Sequence, residues 1–271
     1  MYKLVIMDID GTLLTSDKKI SEYTKNIIQK FSNKIKIVLA SARGFSTIKN
    51  FLLELELVDD KNYTIAYNGG LISKNSGEII FKENITTDKL ELLEKYIKKS
   101  NTSEWFYYFY EDRIDRNKIL NINEFIHSRE IYKVVCISNE KEIAKMRNEM
   151  PKELKDEFQI TSSETTRIEF VPKGITKVEA IKYLMNLLNI KQEEIISIGD
   201  GENDIDMIKF SGCGVAMGNA SENVKKISDK VTCSNDEDGV GKILNELLKW
   251  YNFFEIFEDS QIGIETARML E

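Results

Sequence analysis

Short apolar runs alternate with amphipathic segments over the first 83 residues of the chain. The run Leu4-Val5-Ile6-Met7 has no polar position, which is typical of a strand buried on both faces. Two further strand-like runs follow it, Ile35-Lys36-Ile37-Val38-Leu39 and Tyr63-Thr64-Ile65-Ala66-Tyr67. Strands that alternate with helices predict a parallel sheet.

Two helices are predicted between these strands. Their apolar faces consist of Tyr23, Ile27, Ile28 and Phe31 in the first helix, and of Ile48, Phe51, Leu52 and Leu55 in the second. The second set recurs at helical spacing, and Ser46 just before it is the expected N-cap. Strands and helices therefore alternate as they do in an α/β fold.

The same alternation resumes after Gly174. One helical face is formed by Val178, Ile181, Leu184, Met185 and Leu188. A strand ending at Ile198 and another over Gly214-Val215-Ala216 follow. The two stretches read as one parallel sheet, interrupted between them.

The interruption, residues 84–171, has an α+β pattern. A helix is expected over Leu90, Leu93 and Ile97, and another from about Glu140 to Met150, where Pro151 stops it. Strands are expected over Tyr132-Lys133-Val134-Val135-Cys136-Ile137 and over Arg167-Ile168-Glu169-Phe170-Val171. We predict a discontinuous core of residues 1–83 plus 172–271, and an inserted domain of residues 84–171.

An aromatic run, Trp105-Phe106-Tyr107-Tyr108-Phe109-Tyr110, lies within the predicted insert. Two interpretations are open: a buried strand of the insert, or a wall of a ligand pocket. The usual burial of aromatic side chains favours the strand.

Composition narrows the class of protein. The chain has 271 residues, 42% of them hydrophobic, and a net charge of −7, which argues against a nucleic-acid partner. No apolar stretch approaches the roughly 20 residues needed to span a bilayer. The three cysteines, Cys136, Cys213 and Cys233, lack metal-ligand spacing and are expected to be reduced thiols in the core. Reduced thiols are typical of a cytoplasmic protein. We expect the protein to be a monomer or a homodimer.

Two acidic clusters follow predicted strands at opposite ends of the chain. Asp8-Ile9-Asp10-Gly11-Thr12-Leu13 comes after the first strand, and Gly199-Asp200-Gly201-Glu202-Asn203-Asp204 after the strand ending at Ile198. The carboxyl ends of parallel strands share one edge of a sheet, so Asp8, Asp10 and Asp200 are expected to meet. Crowded carboxylates need a cation, and an oxygen-only ligand set suits Mg²⁺ with a substrate phosphate.

These residue types indicate phosphoryl chemistry. An Asp at the tip of a strand, supported by Mg²⁺, can act as a nucleophile toward phosphorus, which favours Asp8. Asp10, two residues further on, is placed to act as the acid for the leaving group and then as the base for water. Ser41 and Lys177 supply a hydroxyl and a positive charge for phosphoryl oxygens.

Four ordered motifs resemble those of the haloacid dehalogenase superfamily. They are Asp8-Ile9-Asp10-Gly11-Thr12-Leu13-Leu14, Ser41-Ala42-Arg43, Gly174-Ile175-Thr176-Lys177 and Gly199-Asp200-Gly201-Glu202-Asn203-Asp204. Asn68-Gly69-Gly70 and Gly214-Val215-Ala216-Met217-Gly218-Asn219-Ala220 are similar to segments of its Cof-type phosphatases. The insert lies where these proteins carry a type-IIB cap, so the resemblance implies a Rossmann-like core with an α+β cap.

The resemblance also implies a role for each motif residue. Asp8 would form an aspartyl-phosphate and Asp10 would be the general acid and base. Mg²⁺ would be held by Asp8, the backbone carbonyl of Asp10 and Asp200, with Asp204 behind them. The phosphoryl group would be bound by Ser41, Lys177, Asn203 and the backbone N–H groups of Ile9 and Ala42.

One motif departs from the family pattern. Relatives usually have Thr-Gly-Arg where this chain has Ser41-Ala42-Arg43. Serine keeps the hydroxyl, whereas the methyl group of Ala42 narrows the backbone conformations open to that position. Arg43 has two alternative roles, either orienting the substrate or bracing the neighbouring helix.

The expected activity is Mg²⁺-dependent hydrolysis of a small phosphorylated metabolite, such as a sugar phosphate or pyridoxal phosphate, beneath a cap that excludes water. One alternative is phosphoryl transfer to a sugar, and a less favoured one is a phospho-accepting signalling module. His127, within the insert, is expected to be a surface or packing residue. Asn68-Gly69-Gly70 is expected to form a simple turn or to line the cleft.

Overall fold

The computed structural model describes residues 1–100, 102, 104–110, 113–161, 165–249 and 251. The sequence pattern indicates no role for residues 251–271, and of these residues 252–271 lie outside the described residues. No helix within the described ranges is long and apolar enough to cross a membrane.

Strands and helices alternate as follows. The first segment contains β1 Leu4–Met7, α1 Glu22–Ser32, β2 Lys36–Ala40, α2 Phe45–Glu54, β3 Tyr63–Ala66, β4 Leu71–Lys74 and β5 Ile79–Lys82. The middle segment contains α3 Thr87–Ile97, β6 Glu104–Tyr108, β7 Arg113–Asp115, α4 Ile122–Ser128, β8 Lys133–Ile137, α5 Glu140–Glu149, α6 Lys152–Glu157, β9 Phe158–Thr161 and β10 Arg167–Pro172. The last segment contains α7 Lys177–Leu188, β11 Ile195–Gly199, α8 Ile205–Phe210, β12 Cys213–Ala216, α9 Glu222–Ile227, β13 Lys230–Val231 and α10 Gly239–Leu247.

The first and last segments share one sheet, with the strand order β13-β12-β11-β1-β2-β3-β4-β5. β1 lies between β2 and β11, parallel to both, with Leu4 opposite Lys36 on one side and Ile195 on the other. The expected interrupted parallel sheet is therefore confirmed. β4 and β5 extend it through antiparallel pairing, which the apolar pattern did not predict.

Both faces of this sheet are covered, which explains the uninterrupted apolar run of β1. Val5 and Met7 pack into a cluster on one face, and Leu4 and Ile6 into a separate cluster on the other. All four side chains are fully buried. β1 thus holds its carboxyl end rigidly at the centre of the sheet.

The middle segment forms a separate antiparallel sheet with the order β7-β6-β8-β10-β9. One face packs against helices through a cluster that includes Tyr107, Val134 and Phe170. The side chains of Tyr108 and Lys133 lie opposite each other on the other face, which lines a cavity. Because this sheet and its core are separate from those of the other two segments, we propose that residues 84–171 form an inserted cap domain.

Several local predictions were wrong. α2 begins at Phe45 with Gly44 as its N-cap, so Ser46 lies in the first turn instead of capping it. Pro151 ends one helix as expected but also precedes a second, α6, because a proline is tolerated where a helix begins. Tyr23 of α1 is exposed, and of the expected core thiols Cys233 is exposed while Cys136 and Cys213 are buried.

Candidate active site

A cavity of about 1480 Å³ lies between the carboxyl ends of β1, β2 and β11 and the open face of the second sheet. The predicted site residues that line it are Asp8, Asp10, Ser41, Ala42, Arg43, Asp200 and Asn203. Lys177 and Asp204 are buried behind this wall, as is Ile9. The sheet topology therefore gathers residues from distant parts of the chain into one place.

Lys177 connects two of the acidic residues. Its Nζ lies 2.5 Å from Oδ1 of Asp8 and 2.7 Å from Oδ1 of Asp204, and its side chain is 1% exposed. The lysine is the first residue of α7, whose N-cap Thr176 accepts a hydrogen bond from the backbone N–H of Glu179. The start of the helix thus fixes where the lysine enters the site.

Both carboxylate oxygens of Asp204 accept hydrogen bonds from the protein. While Oδ1 accepts from Lys177, Oδ2 accepts from the backbone N–H groups of Asp200 and Gly201, at 3.1 and 3.0 Å. These contacts hold the loop after β11 in a tight turn. Asp204 is accordingly buried behind the cavity wall to which Asp8 and Asp200 contribute.

Asp200 is oriented by the loop after β1. The hydroxyl of Thr12 donates to Oδ1 of Asp200 at 2.8 Å. Gly11 has a φ of +81°, and a Cβ at this position would overlap the carboxylate of Asp200. The glycine and the threonine of the first motif therefore shape the position of a carboxylate in the last one.

The carboxylates fit a hard divalent cation. Asp8, Asp200 and Asp204 each offer one oxygen, and these oxygens lie within 4.8 Å of one another. Burial raises the pKa of Asp8 to about 7, although Lys177 opposes the effect. Burial likewise raises the pKa of Asp200 to about 6. A cation against these oxygens would favour their ionised forms, and oxygen-only donors suit Mg²⁺.

Asp10 faces a different partner. Arg43 donates from Nε to Oδ2 at 2.6 Å and from Nη2 to Oδ1 at 2.7 Å, and Lys18 lies 3.2 Å from Oδ1. Burial alone would raise the pKa of Asp10, but Arg43 and then Lys18 hold it below its ordinary value. The guanidinium of Arg43 also lies over the ring of Phe51 in α2. Arg43 therefore braces the helix while it binds Asp10, a partner that neither alternative had named.

Ser41 is held by its backbone and its side chain. Its backbone N–H donates to the carbonyl of Ile65, and its carbonyl accepts from Asn68. Its Oγ accepts from the backbone N–H of Arg43 at 3.1 Å. The φ of Ala42 lies outside the positive range, so the alanine adds no strain to this loop.

Some lining residues were not singled out from the sequence. Lys133 and Glu169 come from the second sheet, and both are buried charges within strands. A charged residue inside an apolar strand was the signal for each. Tyr108 also lines the cavity, while its neighbour Tyr107 is buried on the other face of the strand. Both interpretations of the aromatic run therefore hold in part: it forms a strand of the insert, and one of its side chains forms part of the cavity wall.

Asn68 and His127 are not among the residues that line the cavity. Asn68 is buried in a tight turn with a φ of 56° beside Ser41. His127 is exposed, and its Nδ1 lies 2.7 Å from the carbonyl oxygen of Asn123.

Comparisons with known proteins agree with this geometry. A family model described as haloacid dehalogenase-like hydrolase matches residues 5–244. The chain is 31% identical over 245 residues to 5-amino-6-(5-phospho-D-ribitylamino)uracil phosphatase YcsE of Bacillus subtilis (strain 168), covering 89% of this chain and 94% of that protein.

Solved structures give the same picture. A haloacid dehalogenase-like hydrolase from Bacteroides thetaiotaomicron superposes with a TM-score of 0.80 at 29% identity, covering 91% of this chain and 100% of the other. The subclass IIB sugar phosphatase BT4131 superposes with a TM-score of 0.75 at 25% identity, covering 90% of this chain and 98% of the other. The similarity thus extends over both sheets.

Proposed function

Because this chain belongs to the haloacid dehalogenase-like hydrolase family, we propose that it is a Mg²⁺-dependent phosphatase that hydrolyses a small phosphorylated metabolite through a covalent phosphate on Asp8. The observation that carries the proposal is the buried contact of Asp8 with Lys177, beside the carboxylate of Asp200. A nucleophilic carboxylate, a fixed positive charge and a cation site then surround one point of the cavity.

The metal would be held by the carboxylates of Asp8 and Asp200, with the backbone carbonyl of Asp10 as a further ligand. When bound, Mg²⁺ neutralises charge on the phosphoryl group and so lowers the repulsion between this group and the attacking carboxylate.

The reaction has two halves. In the first, an oxygen of Asp8 forms a bond to phosphorus, the bond from phosphorus to the leaving oxygen breaks, and Asp10 gives that oxygen its proton. In the second, Asp10 takes a proton from water, the water oxygen bonds to phosphorus, and the carboxylate of Asp8 leaves. Asp10 ends each turnover as it began.

Phosphoryl oxygens would be bound by the hydroxyl of Ser41, by Asn203 and Lys177, and by the backbone N–H groups of Ile9 and Ala42. Donors fixed before the reaction stabilise the charge that develops on these oxygens. Lys177 is already held in place by Asp204 before a substrate binds.

The cap would choose the substrate and exclude water from the cavity. The related proteins named above act on a ribitylaminouracil phosphate and on sugar phosphates. On these grounds we propose a sugar phosphate or a cofactor phosphate such as pyridoxal phosphate as substrate. The buried thiols of Cys136 and Cys213 support a cytoplasmic location.

The test is phosphate release from a panel of sugar, nucleotide and cofactor phosphates, with Mg²⁺ or with a chelator. Wild type is compared with Asp8→Asn and with Asp206→Asn, which changes an exposed aspartate on α8. We expect release that requires both Mg²⁺ and Asp8, and that is unaffected in the control. Turnover by Asp8→Asn equal to that of wild type would rule out the covalent intermediate, and transfer of phosphate to an acceptor sugar would favour the mutase alternative.

A further inference from the structure

Lys133 reaches from the second sheet to the loop that contains Ser41, Ala42 and Arg43. Its Nζ donates to the backbone carbonyl of Ala42 at 2.9 Å, although the two residues are 91 positions apart. The lysine lies in β8, within the proposed cap, and lines the same cavity as Asp8. A side chain of one domain is thus bound to the backbone of the other beside the proposed phosphoryl site.

Glu169 is the charged partner of this lysine. Its Oε2 lies 3.2 Å from Nζ of Lys133, and the two side chains are 6% and 5% exposed. The ring of Tyr108 covers the ammonium group at 4.7 Å. Burying an ion pair costs desolvation energy, and well-packed apolar side chains are often as stable. Stability alone therefore gives little reason for a buried ion pair here. The contact of Lys133 with the carbonyl of Ala42 points to a functional one.

The carbonyl of Ala42 belongs to the same peptide group as the N–H of Arg43. A peptide group is planar, so fixing the direction of its C=O also fixes that of its N–H. This N–H donates to Oγ of Ser41 at 3.1 Å. Lys133, the peptide group and the hydroxyl thus form one hydrogen-bonded chain that leads into the cavity.

The end of that chain is a donor. A serine hydroxyl has one proton to give and accepts through its oxygen. With Oγ of Ser41 already accepting from Arg43, the proton is directed elsewhere, and it reaches no acceptor within the described part of the protein. The hydroxyl is therefore oriented to donate to a group that enters the cavity.

We propose that Lys133 is a positioning residue for phosphoryl binding, which fixes the peptide between Ala42 and Arg43 and through it the hydroxyl of Ser41. The inference rests on the proposed function and extends it. The cap then takes part in recognition of the phosphoryl group itself, besides covering the cavity. Ser41 is fully oriented only while the cap is packed against the core as it is here.

The test compares wild type with Lys133→Met/Glu169→Gln, in which both buried charges are removed together so that neither remains unpaired. The matched control is Lys82→Met, since Lys82 also joins core to cap, through Glu130 at 2.7 Å, without reaching the loop. We expect the double variant to lower kcat/KM for p-nitrophenyl phosphate and to weaken inhibition by inorganic phosphate, each about tenfold. The control should change neither, and Lys133→Arg should recover most of the loss.

A double-mutant cycle with Ser41→Ala identifies the route of the effect. If Lys133 acts through Ser41, its removal should cost almost nothing once the hydroxyl is absent. Fully additive losses in the cycle would overturn the proposal. Unchanged inhibition by phosphate together with a raised KM for bulky substrates alone would also overturn it, because Lys133 would then contact the leaving group. Phosphate binding followed by calorimetry gives the same comparison without turnover. A wild-type protein that releases phosphate from nothing in the panel would instead overturn the proposed function, and this inference with it.

Discussion

Arg43 donates hydrogen bonds to both carboxylate oxygens of Asp10, from Nε to Oδ2 at 2.6 Å and from Nη2 to Oδ1 at 2.7 Å. This two-point contact fixes the plane of the carboxyl group as well as its position. In the proposed mechanism Asp10 takes a proton from water and gives one to the leaving oxygen, so the orientation of its carboxyl group matters to both halves of the reaction. The contact with Arg43 favours the carboxylate that acts as the base, and one oxygen must leave Arg43 before Asp10 can carry the proton. The pair therefore links an arginine of the second motif to the proposed acid and base of the first.

Removing this arginine should slow the reaction through Asp10. We expect Arg43→Met to lower kcat about tenfold to a hundredfold, which is less than the roughly hundredfold to ten-thousandfold that a positioned acid or base contributes, because Asp10 itself remains. In an Asp10→Asn background the same change should cost little more. Lys18→Met, which removes the more exposed partner of Asp10, should have a far smaller effect. Independent losses from Arg43 and Asp10 in steady-state assays would mean that Arg43 binds substrate instead.

Metal affinity should depend on Asp200 and, to a lesser degree, on Thr12. Asp200→Asn should raise the Mg²⁺ concentration for half-maximal activity by roughly a hundredfold or more, since even a residue that only orients a ligand costs about tenfold. Thr12→Val, which removes the donor to Asp200, should raise it about tenfold. Thermal unfolding with and without Mg²⁺ provides a second measurement, because a cation that binds the folded state stabilises it. Equal Mg²⁺ responses in wild type and Asp200→Asn would contradict the assignment.

The sheet and the proposed nucleophile were accessible from the sequence because they depend on local patterns. Fully apolar runs mark β1 and β11, and parallel neighbours must end at the same edge, so the motifs that follow them were expected to meet. The contact of Lys177 with Asp8 spans 169 residues. The sequence predicted a positive charge of Lys177 at the phosphoryl site but did not identify Asp8 as its partner.

Other features escaped because they depend on which way a side chain turns. No spacing rule states that Arg43 should bind Asp10, or that Lys133 should cross to the carbonyl of Ala42. The antiparallel pair β4 and β5 was missed for a related reason. The direction of β4 is decided by the tight turn at Asn68, which joins it to β3 and where the backbone adopts a positive φ that apolar patterning does not reveal.

A cluster in the cap should make its stability depend on pH. Glu94 is buried, accepts from Arg116 at 2.8 Å and from the hydroxyl of Tyr107, and lies 2.9 Å from Lys98. Burial would raise the pKa of Glu94, but these partners together hold it below its ordinary value of 4.5. The carboxylate therefore stabilises the fold at pH values above 4.5, and this contribution is lost as the pH falls through the lowered pKa.

Glu94→Gln should accordingly lower the free energy of unfolding by about 1–3 kcal/mol near neutral pH, and by progressively less in acid. The control is Glu91→Gln, an exposed residue of the same helix, for which we expect almost no change. Fluorescence of Trp105, which lies beside Arg116, reports on the cap in a Trp250→Phe background. A difference between wild type and Glu94→Gln that grows as the pH falls would contradict the assignment.

Two glycines allow backbone strain to be separated from damage to the metal site. Gly11 and Gly174 share a φ of +81°, but a Cβ at Gly11 would overlap the carboxylate of Asp200, whereas one at Gly174 would meet no atom of the described residues within 4 Å. Gly174→Ala should lower the free energy of unfolding by about 1–2 kcal/mol, the cost of a left-handed backbone at a residue with a side chain, and Gly11→Ala should lower it by more because of the overlap with Asp200. Only Gly11→Ala should also raise the Mg²⁺ requirement, because it alone displaces Asp200. Chemical unfolding followed by Mg²⁺ titration measures both effects. If the two variants respond alike to Mg²⁺, then the loop after β1 does not set the position of the metal-binding carboxylate, and the first and last motifs are not coupled through Gly11.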